Sequence, residues 1–223
     1  MRCGSATSQF KQGDQVMCSI ANAFAEYAVA NVARSAVLPK GLDWVQAGTL
    51  PVSLQTMHNA IVTAGALKPG ESILIQGASS GVGLMGLQIS KFMGAGFVAG
   101  TSTNAERRAK LKDFGADLAV DTTDPKWPDQ VKEATGGKGV NLIVDMVSGG
   151  VMNGNMQAAT LLGRIVNVAV VVGTGINQEG TKEVLGVDVI TSEDGAGWAA
   201  FLRTLVGRGL SGVELVISDA HSG

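Results

Sequence analysis

Ser72-Ile-Leu-Ile-Gln-Gly-Ala-Ser-Ser-Gly-Val-Gly-Leu-Met-Gly86 is the stretch that decides the fold of this 223-residue chain. It begins with an apolar run typical of a β-strand, and after its glycines apolar side chains recur near helical spacing. Glycines 81, 83 and 86 form a G-x-G-x-x-G pattern at the junction. Because glycine has no Cβ, the backbone there can turn tightly and approach a pyrophosphate, which the N–H groups of a helix N-terminus then face. The pattern predicts a dinucleotide site; the alternative is a tight turn that binds no ligand.

Strands and helices alternate after this stretch, which predicts a doubly wound parallel sheet of the α/β class. The run Val140–Asp145 is almost continuously apolar, which is typical of a strand buried on both faces. The glycine turn then lies at the carboxyl edge of the first strand, where such sheets bind ligands. The expected strands are Ser72–Gln76, Phe97–Thr101, Leu118–Val120, Val140–Asp145 and Arg164–Val168. The expected helices are Gly83–Met93, Ala105–Phe114, Asp129–Ala134 and Met152–Leu162.

The chain before Ser72 follows a different pattern. A turn at Phe10 leads into a strand near Val16, and Ala23–Val29 is a second β-type run. So few short strands cannot bury both faces by themselves. A helix is expected from Leu42 to Leu50 with Asp43 as its N-cap and Pro51 as its end, followed by a second helix over 53–64.

The pattern changes again around Val168. Residues 164–173 and 181–191 predict a β-hairpin, followed by a helix over 193–206 and a strand over 213–218. We therefore expect three domains, with residues 1–40, 41–168 and 169–223.

Composition and charge exclude several classes of function. With 45% hydrophobic and 16% charged residues, the chain has the composition of a globular protein. A net charge of −2 argues against nucleic acid and anionic membrane as partners. Two cysteines and two histidines are too few for a disulfide framework or a zinc site, so no metal is expected. No apolar run reaches membrane length and no signal-peptide pattern is found, so we expect a cytoplasmic protein.

From about residue 10 to residue 168 the chain resembles the zinc-independent quinone oxidoreductases of the medium-chain dehydrogenase/reductase superfamily. The resemblance implies a Rossmann domain that binds NADP(H), set against a GroES-like substrate domain. It also implies reduction of a quinone or an α,β-unsaturated carbonyl by hydride transfer. The matching stretches lie in the family's order: Phe10–Val16, Phe24–Ala28, Ala47–Pro51, Lys68–Ile75, Gly77–Gly83, Phe114–Asp117, Thr135–Val140 and Gly163–Asn167.

Both ends depart from that family. Most of the GroES-like domain is missing before residue 10, so residues 1–40 are interpreted as its remnant, and the family's sixth strand is missing after Val168. Residues 163–223 instead resemble an internal fragment of mutator-type transposases, whose catalytic core is an RNase H-like α/β fold with three metal-binding carboxylates. Asp219 matches one carboxylate of that set, and one carboxylate cannot hold two catalytic metal ions, so transposition is not expected.

These resemblances lead to two expected functions. The first is an NADPH-dependent oxidoreductase of quinone or enoyl reductase type, whose activity the truncation could remove. The alternative is a non-catalytic chimeric gene product that joins a reductase fragment to a transposase fragment. The expected partner is a small-molecule substrate, a quinone or an enone, and a homodimer is compatible with the sequence.

Selectivity for the cofactor follows from the end of the second strand. An NAD site expects Asp or Glu about 20 residues after the glycines, whereas this strand ends in Thr101 and Ser102. Arg107 falls where the family places a lysine on the 2′-phosphate, and a guanidinium suits a phosphate. NADP is therefore favoured over NAD, and the alternative is that Arg107 and Arg108 are solvated surface charges.

Two further candidates come from the resemblance and from position. Thr56 lies where the family has a threonine close to the nicotinamide, with an ordinary helix hydroxyl as the alternative. Asp145 ends the fourth strand at the cofactor edge, with a cap of the next turn as the alternative. No catalytic residue is assigned. The expected cofactor-binding residues are Thr56, Gly77, Ala78, Ser79, Ser80, Gly81, Val82, Gly83, Gly86, Thr101, Ser102, Arg107, Asp145 and Val168.

Overall fold

The computed structural model describes residues 9–20, 23, 25–176, 182–190 and 202–210. The chain divides into two compact units, Met1–Gln55 and Thr56–Gly223. The domain boundaries expected after residues 40 and 168 stay predictions.

The first unit contains one short antiparallel pair. Strand β1 (Val16–Cys18) pairs with β2 (Ser35–Val37), and no side chain of either strand is buried. The expected strand over Ala23–Val29 does not form in its described part, where residues 25–27 are bends and Tyr27 and Val29 are exposed. A β-type run forms a strand only when a partner supplies its hydrogen bonds, and here residues 35–37, not 23–29, lie opposite β1.

The helix expected to end at Pro51 continues through it. Helix α1 (Trp44–His58) runs on into a π-helical turn, Asn59–Ala64. Asp43 caps its start as expected, because Asp43 Oδ1 accepts from the Gln46 N–H at 2.7 Å and Gln46 Oε1 accepts from the Asp43 N–H at 3.1 Å. An interior proline costs about 3 kcal/mol, but tertiary packing contributes most of the stability of helices in proteins. Met57, Ala60 and Ile61 are buried further along, which explains why the helix persists.

The second unit is built on a five-stranded parallel sheet, as expected. Its order is β5-β4-β3-β6-β7, so the strand that enters the glycine turn, β3, is central. The chain runs through β3 (Ser72–Ile75), α2 (Gly81–Phe92), β4 (Phe97–Thr101), α3 (Ala105–Ala109), β5 (Leu118–Val120), α4 (Trp127–Ala134), β6 (Val140–Asp145), α5 (Met152–Ala158) and β7 (Ala159–Asn167).

Hydrophobic side chains cover the sheet on both faces. Ile73 and Ile75 point into one cluster with Leu87 of α2, while Leu74 between them points into the other with Trp127 and Val131 of α4. This two-sided burial explains why seven of the ten residues of β3 and β6 are apolar.

Several of the expected elements change their bounds, by one or two residues in β3 and α2 and by more in others. The helix expected over 105–114 divides into α3 and a 3₁₀ turn, Leu111–Phe114, which ends at Gly115 with φ +101°. The helix expected to reach Leu162 ends at Ala158, and β7 takes the following residues. Leu161 and Leu162 are exposed, so their apolar character does not mark a buried helix face. The start of α4 changes as well, because this helix begins at Trp127 instead of Asp129.

The expected hairpin follows the sheet. Strands β8 (Ala169–Ile176) and β9 (Lys182–Ile190) pair antiparallel, so the long strand expected over 164–173 is divided at Val168 between two sheets. Residues 202–207 are helical, which confirms the end of the helix expected over 193–206 to within one residue. The rest of that helix, the strand expected over 213–218 and Asp219 lie outside the described residues. The GroES-like and RNase H-like assignments of the two ends stay predictions.

Candidate functional site: the carboxyl edge of the parallel sheet

The glycine turn between β3 and α2 has the geometry that an anion site requires. Gly77 has φ +68°, which favours glycine. Ser80 is the N-cap of α2: its Oγ accepts from the Gly83 N–H and donates to the Gly77 carbonyl, both at 3.0 Å. Ser80 and Gly81 are exposed. Because the first N–H groups of a helix have no intrahelical acceptor, those of Gly81 and Val82 are available to a ligand.

Packing requires one of the three motif glycines, Gly83, and leaves little space at a second, Gly86. A Cβ on Gly83 would lie 2.6 Å from the Cα of Ala78, and one on Gly86 would lie 2.9 Å from Met57 Sδ. A Cβ on Gly81 would meet nothing within 4 Å, because this glycine is at the exposed start of the helix. The motif thus combines two glycines at which α2 packs closely, against the turn and against Met57, with one that keeps the surface of the turn open.

The end of β4 is hydrogen-bonded to the glycine turn. Thr101 Oγ1 accepts from the Gly77 N–H at 3.0 Å, and the Thr101 carbonyl accepts from the Ala78 N–H at 2.9 Å. Ser102 Oγ donates to Ser79 Oγ at 2.8 Å. The structure therefore brings together these two strand-end residues and the turn, as the sequence led us to expect.

The two arginines of α3 have different surroundings. Arg108 Nη1 donates to the Ser102 carbonyl at 2.7 Å and to Asp121 Oδ2 at 2.8 Å, so this side chain braces the ends of β4 and β5. Hydrogen bonds from Thr123, together with the charge of Arg108, hold the pKa of Asp121 below its usual value. Arg107 is exposed, and among the described residues its guanidinium makes no hydrogen bond or ion pair. Of the two, Arg107 is the one available to a phosphate.

Asp145 and Val168 lie where β6 and β7 end. Asp145 is fully buried, and its Oδ1 accepts from the N–H groups of Val147 at 2.8 Å and Ser148 at 2.9 Å. The cap of the following turn, which was the alternative interpretation of this residue, is therefore present. The buried Val168 donates its N–H to the Asp145 carbonyl at 2.7 Å.

Thr56 lies in α1 and is buried. Its neighbour Met57 packs in the same hydrophobic cluster as Ile75 and Leu87, which places this end of α1 against the sheet and α2. Among the described residues, no hydrogen bond links the Thr56 side chain to the glycine turn.

Sequence reasoning missed two residues at this edge, Gln76 and Asn155. Both are fully buried, and Gln76 Nε2 donates to Asn155 Oδ1 at 2.6 Å. A polar side chain at the end of an otherwise apolar buried strand was the available signal for Gln76, because buried amides require partners. Asn155 had no such signal, since its burial depends on how α5 packs.

The sheet order and the capped turn define a class of protein. The first strand of the sheet, β3, is central: β4 and β5 lie on one side of it and β6 and β7 on the other. The order in which strands are added therefore reverses between β3 and β6, which is the switch point of a Rossmann-type α/β fold. The chain belongs to the zinc-binding dehydrogenase family, which matches residues 81–193.

Individual proteins that are similar to this chain in sequence or in structure are quinone oxidoreductases. A quinone oxidoreductase from Rattus norvegicus is 30% identical over 195 residues, which cover 85% of this chain and 59% of that protein. The structure of an Escherichia coli quinone oxidoreductase complexed with NADPH superposes with a TM-score of 0.66 and 25% identity over 74% of this chain and 51% of that one. The chain thus spans little more than half the length of these relatives, and the expected resemblance to quinone oxidoreductases is confirmed.

A second, unrelated similarity is also present. A transposase for the insertion sequence element IS1081 of Mycobacterium tuberculosis is 61% identical over 61 residues, which cover 27% of this chain and 15% of that protein. The expected transposase resemblance is therefore confirmed as well.

The residues present do not fit the zinc ion that the family name implies. Zinc sites in proteins use cysteine, histidine and carboxylate ligands, and the whole sequence has two cysteines and two histidines. Within the described parts of the chain, no group of three or more such side chains comes together. Over the same residues, no helix is long and apolar enough to span a membrane.

Proposed function

We propose that this chain is an NADPH-dependent oxidoreductase of the quinone or enoyl reductase type. One observation carries the proposal: an exposed, capped glycine turn lies beside a strand end with no acidic residue, and Arg107 next to it has no other partner among the described residues. The E. coli relative of the same fold is complexed with NADPH. When bound, NADPH supplies the hydride.

Different residues of the chain would bind different parts of that cofactor. The first N–H groups of α2, at Gly81 and Val82, would bind the pyrophosphate. Arg107 would bind the 2′-phosphate through charge-assisted hydrogen bonds. The neighbouring Arg108 is less available to the phosphate, because its guanidinium is already paired with Asp121. The other proposed contacts are those at Thr56, Gly77, Ala78, Ser79, Ser80, Gly83, Gly86, Thr101, Ser102, Asp145 and Val168.

The small-molecule substrate is proposed to be a quinone or an α,β-unsaturated carbonyl, because the relatives are quinone oxidoreductases. Hydride transfer requires that water be excluded from the reacting face. We propose that residues 41–168 hold the cofactor and that residues 1–40 are a remnant of the substrate domain.

Fluorescence titration of the purified chain with NADPH and NADH tests the cofactor. We expect saturable binding of NADPH and at least tenfold weaker binding of NADH, because the 2′-phosphate gains charge-assisted bonds to Arg107. Equal affinity for both would refute the selectivity, and no saturable binding would refute the site.

A second candidate is a non-catalytic chimeric product that joins a reductase segment to a transposase segment. The 61-residue similarity to the IS1081 transposase favours it. Quinone reduction and limited proteolysis distinguish the two. Turnover together with a protected core near residues 41–168 supports the oxidoreductase, whereas uniform digestion with no turnover supports the chimeric product. A homodimer, a cytoplasmic location and the absence of a nucleic-acid partner stay predictions.

A further inference from the structure

A chain of four buried polar side chains lies under the candidate site. Thr101 Oγ1 donates to Gln76 Oε1 at 2.8 Å, Gln76 Nε2 donates to Asn155 Oδ1 at 2.6 Å, and Asn155 Nδ2 donates to Asp145 Oδ2 at 2.7 Å. Their exposed fractions are 2% for Thr101 and zero for the other three, so water does not compete for these bonds. We call these four residues the edge network.

The edge network ends on backbone at both sides of the switch point. On one side Thr101 accepts from the Gly77 N–H, which belongs to the glycine turn. On the other side Asp145 accepts from the N–H groups of Val147 and Ser148, in the turn after β6, where Ser148 has φ +57°. Because ligands of this fold bind between these two turns, the network connects the two walls of the crevice.

Every bond in the edge network has a direction, and Asp145 sets it. A carboxylate only accepts, so the Asn155 amide must turn its NH₂ group toward Asp145 and its oxygen toward Gln76. Gln76 must then donate to Asn155 and present its own oxygen to Thr101. The Thr101 hydroxyl consequently donates to Gln76, which leaves its lone pair for the Gly77 N–H.

We propose that Asn155 and Gln76 are positioning residues for the dinucleotide site. Because Asp145 can only accept, their amides orient the Thr101 hydroxyl so that its oxygen accepts from the Gly77 N–H. This bond holds the glycine turn in its binding conformation. This inference rests on the proposed cofactor. Apolar residues would fill the same volume without burying two amides, whereas a fully bonded amide chain defines one orientation for each member. Neither residue touches the cofactor in this account, and both act through Thr101 and Gly77.

The variant Asn155→Asp tests the direction of the network. At alkaline pH two carboxylates then face each other in a buried site, and the bond between residues 155 and 145 is lost. At acidic pH the pair shares one proton, which restores that bond. Within the described residues Asp145 is the one titratable side chain that is hydrogen-bonded to Asn155.

We expect Asn155→Asp to bind NADP⁺ about tenfold more weakly than wild type at pH 8, because a buried hydrogen bond is lost, and to approach wild-type affinity near pH 5.5. Wild type supplies the baseline, since the 2′-phosphate titrates in this range.

Asn141→Asp is the matched control. It lies in β6 at the other edge of the sheet, and its Oδ1 only accepts, from the Ser72 N–H and hydroxyl, both at 2.9 Å. Its binding curve is expected to follow wild type at every pH.

The thermal midpoint is measured at each pH to separate binding from folding. A midpoint of Asn155→Asp that shifts with pH while its affinity follows wild type would overturn the inference, because the network would then be structural only. Failure of wild type to bind NADP⁺ would instead refute the proposed cofactor.

A second pair of variants applies if Asn155→Asp does not fold. Thr101→Val keeps the shape of the side chain and removes the hydroxyl, whereas Thr101→Ser keeps the hydroxyl. We expect weaker NADP⁺ binding in the first and recovery in the second. Equal affinity in the two would overturn the inference.

Discussion

The parallel sheet of the second unit and the antiparallel pair of the first use their strands in opposite ways. In β3 and β6, eight of ten side chains are buried, whereas in β1 and β2 none of six is. The sheet therefore gains its stability from hydrophobic burial on two faces, while the pair relies on backbone hydrogen bonds at its surface.

This difference determines where a site can be precise. A residue at the edge of the buried sheet is held by neighbours that cannot move independently, as the four residues of the edge network are. In the pair, four side chains are half-buried and two are exposed, so fewer neighbours hold each of them. Catalytic and binding geometry is best held on rigid elements, so the parallel sheet of the second unit is suited to hold a cofactor site.

The same substitution in the two regions tests the comparison most strongly. Val144 is fully buried in β6 and Val37 is 57% exposed in β2. We expect Val144→Ala to lower the free energy of unfolding by about 2–3 kcal/mol through lost burial and a cavity, and Val37→Ala by no more than about 0.5 kcal/mol. Urea denaturation measures both. Similar losses would show that β2 is buried in solution and would break the comparison.

A methyl group at two glycines of the motif tests whether tight packing reaches the turn. Gly83→Ala places its Cβ against the backbone of Ala78, so we expect a loss of about 1–3 kcal/mol and, under the proposed function, weaker NADPH binding. Gly81→Ala has open space, so its thermal midpoint is expected to stay close to that of wild type. A stable Gly83→Ala protein with wild-type affinity would contradict the packing account.

Removing one charge at the carboxyl edge tests the function of the sheet rather than its stability. We expect Arg107→Gln to weaken NADPH binding about tenfold, through the loss of charge-assisted bonds, with little change for NADH and none in thermal midpoint. Lys138→Gln removes an exposed charge before β6, at the amino edge, and is the control. If both variants weaken NADPH binding equally, the loss of affinity comes from the net charge of the protein and not from Arg107.

Acid sensitivity gives the smallest effect. A bidentate ion pair joins Arg164 of β7 to Glu71 just before β3, and the hydrogen bond from Arg164 is the main cause that lowers the pKa of Glu71 below 4.5. A lowered carboxyl pKa contributes stability above pH 4.5, and this contribution is lost as pH falls through the folded-state pKa. The thermal midpoint of wild type should therefore fall more between pH 6 and pH 3.5 than that of Arg164→Met. Parallel curves would show that the pair contributes nothing.

The fold of the second unit could be predicted because local and long-range preferences agree there. The strands Phe97–Thr101, Leu118–Val120 and Val140–Asp145 were predicted at the bounds that the structure has, since apolar runs, glycine turns and helical periodicity all mark the same positions. Predictions failed where local preference and tertiary packing disagree. Pro51 did not end its helix, and the apolar residues Leu161 and Leu162 did not extend theirs.

The candidate site shows the same division. Its glycines and the missing acidic residue after β4 are properties of consecutive residues, so they could be read directly. The different surroundings of Arg107 and Arg108 could not, because they depend on Asp121, thirteen positions beyond Arg108. Asn155 was likewise missed, since its partner Gln76 is 79 positions away.

The amino-acid sequence by itself determined the class of fold, the place of the glycine turn and the absence of an acidic residue at the end of β4. Each of these depends on side-chain size, polarity and spacing along a short stretch. Only the tertiary structure decided which arginine is paired, which amides are buried and which way their hydrogen bonds point. These properties arise when β3, β4, β6 and α5 meet at one edge, and a buried polar group must take its partners from whichever element the fold brings beside it.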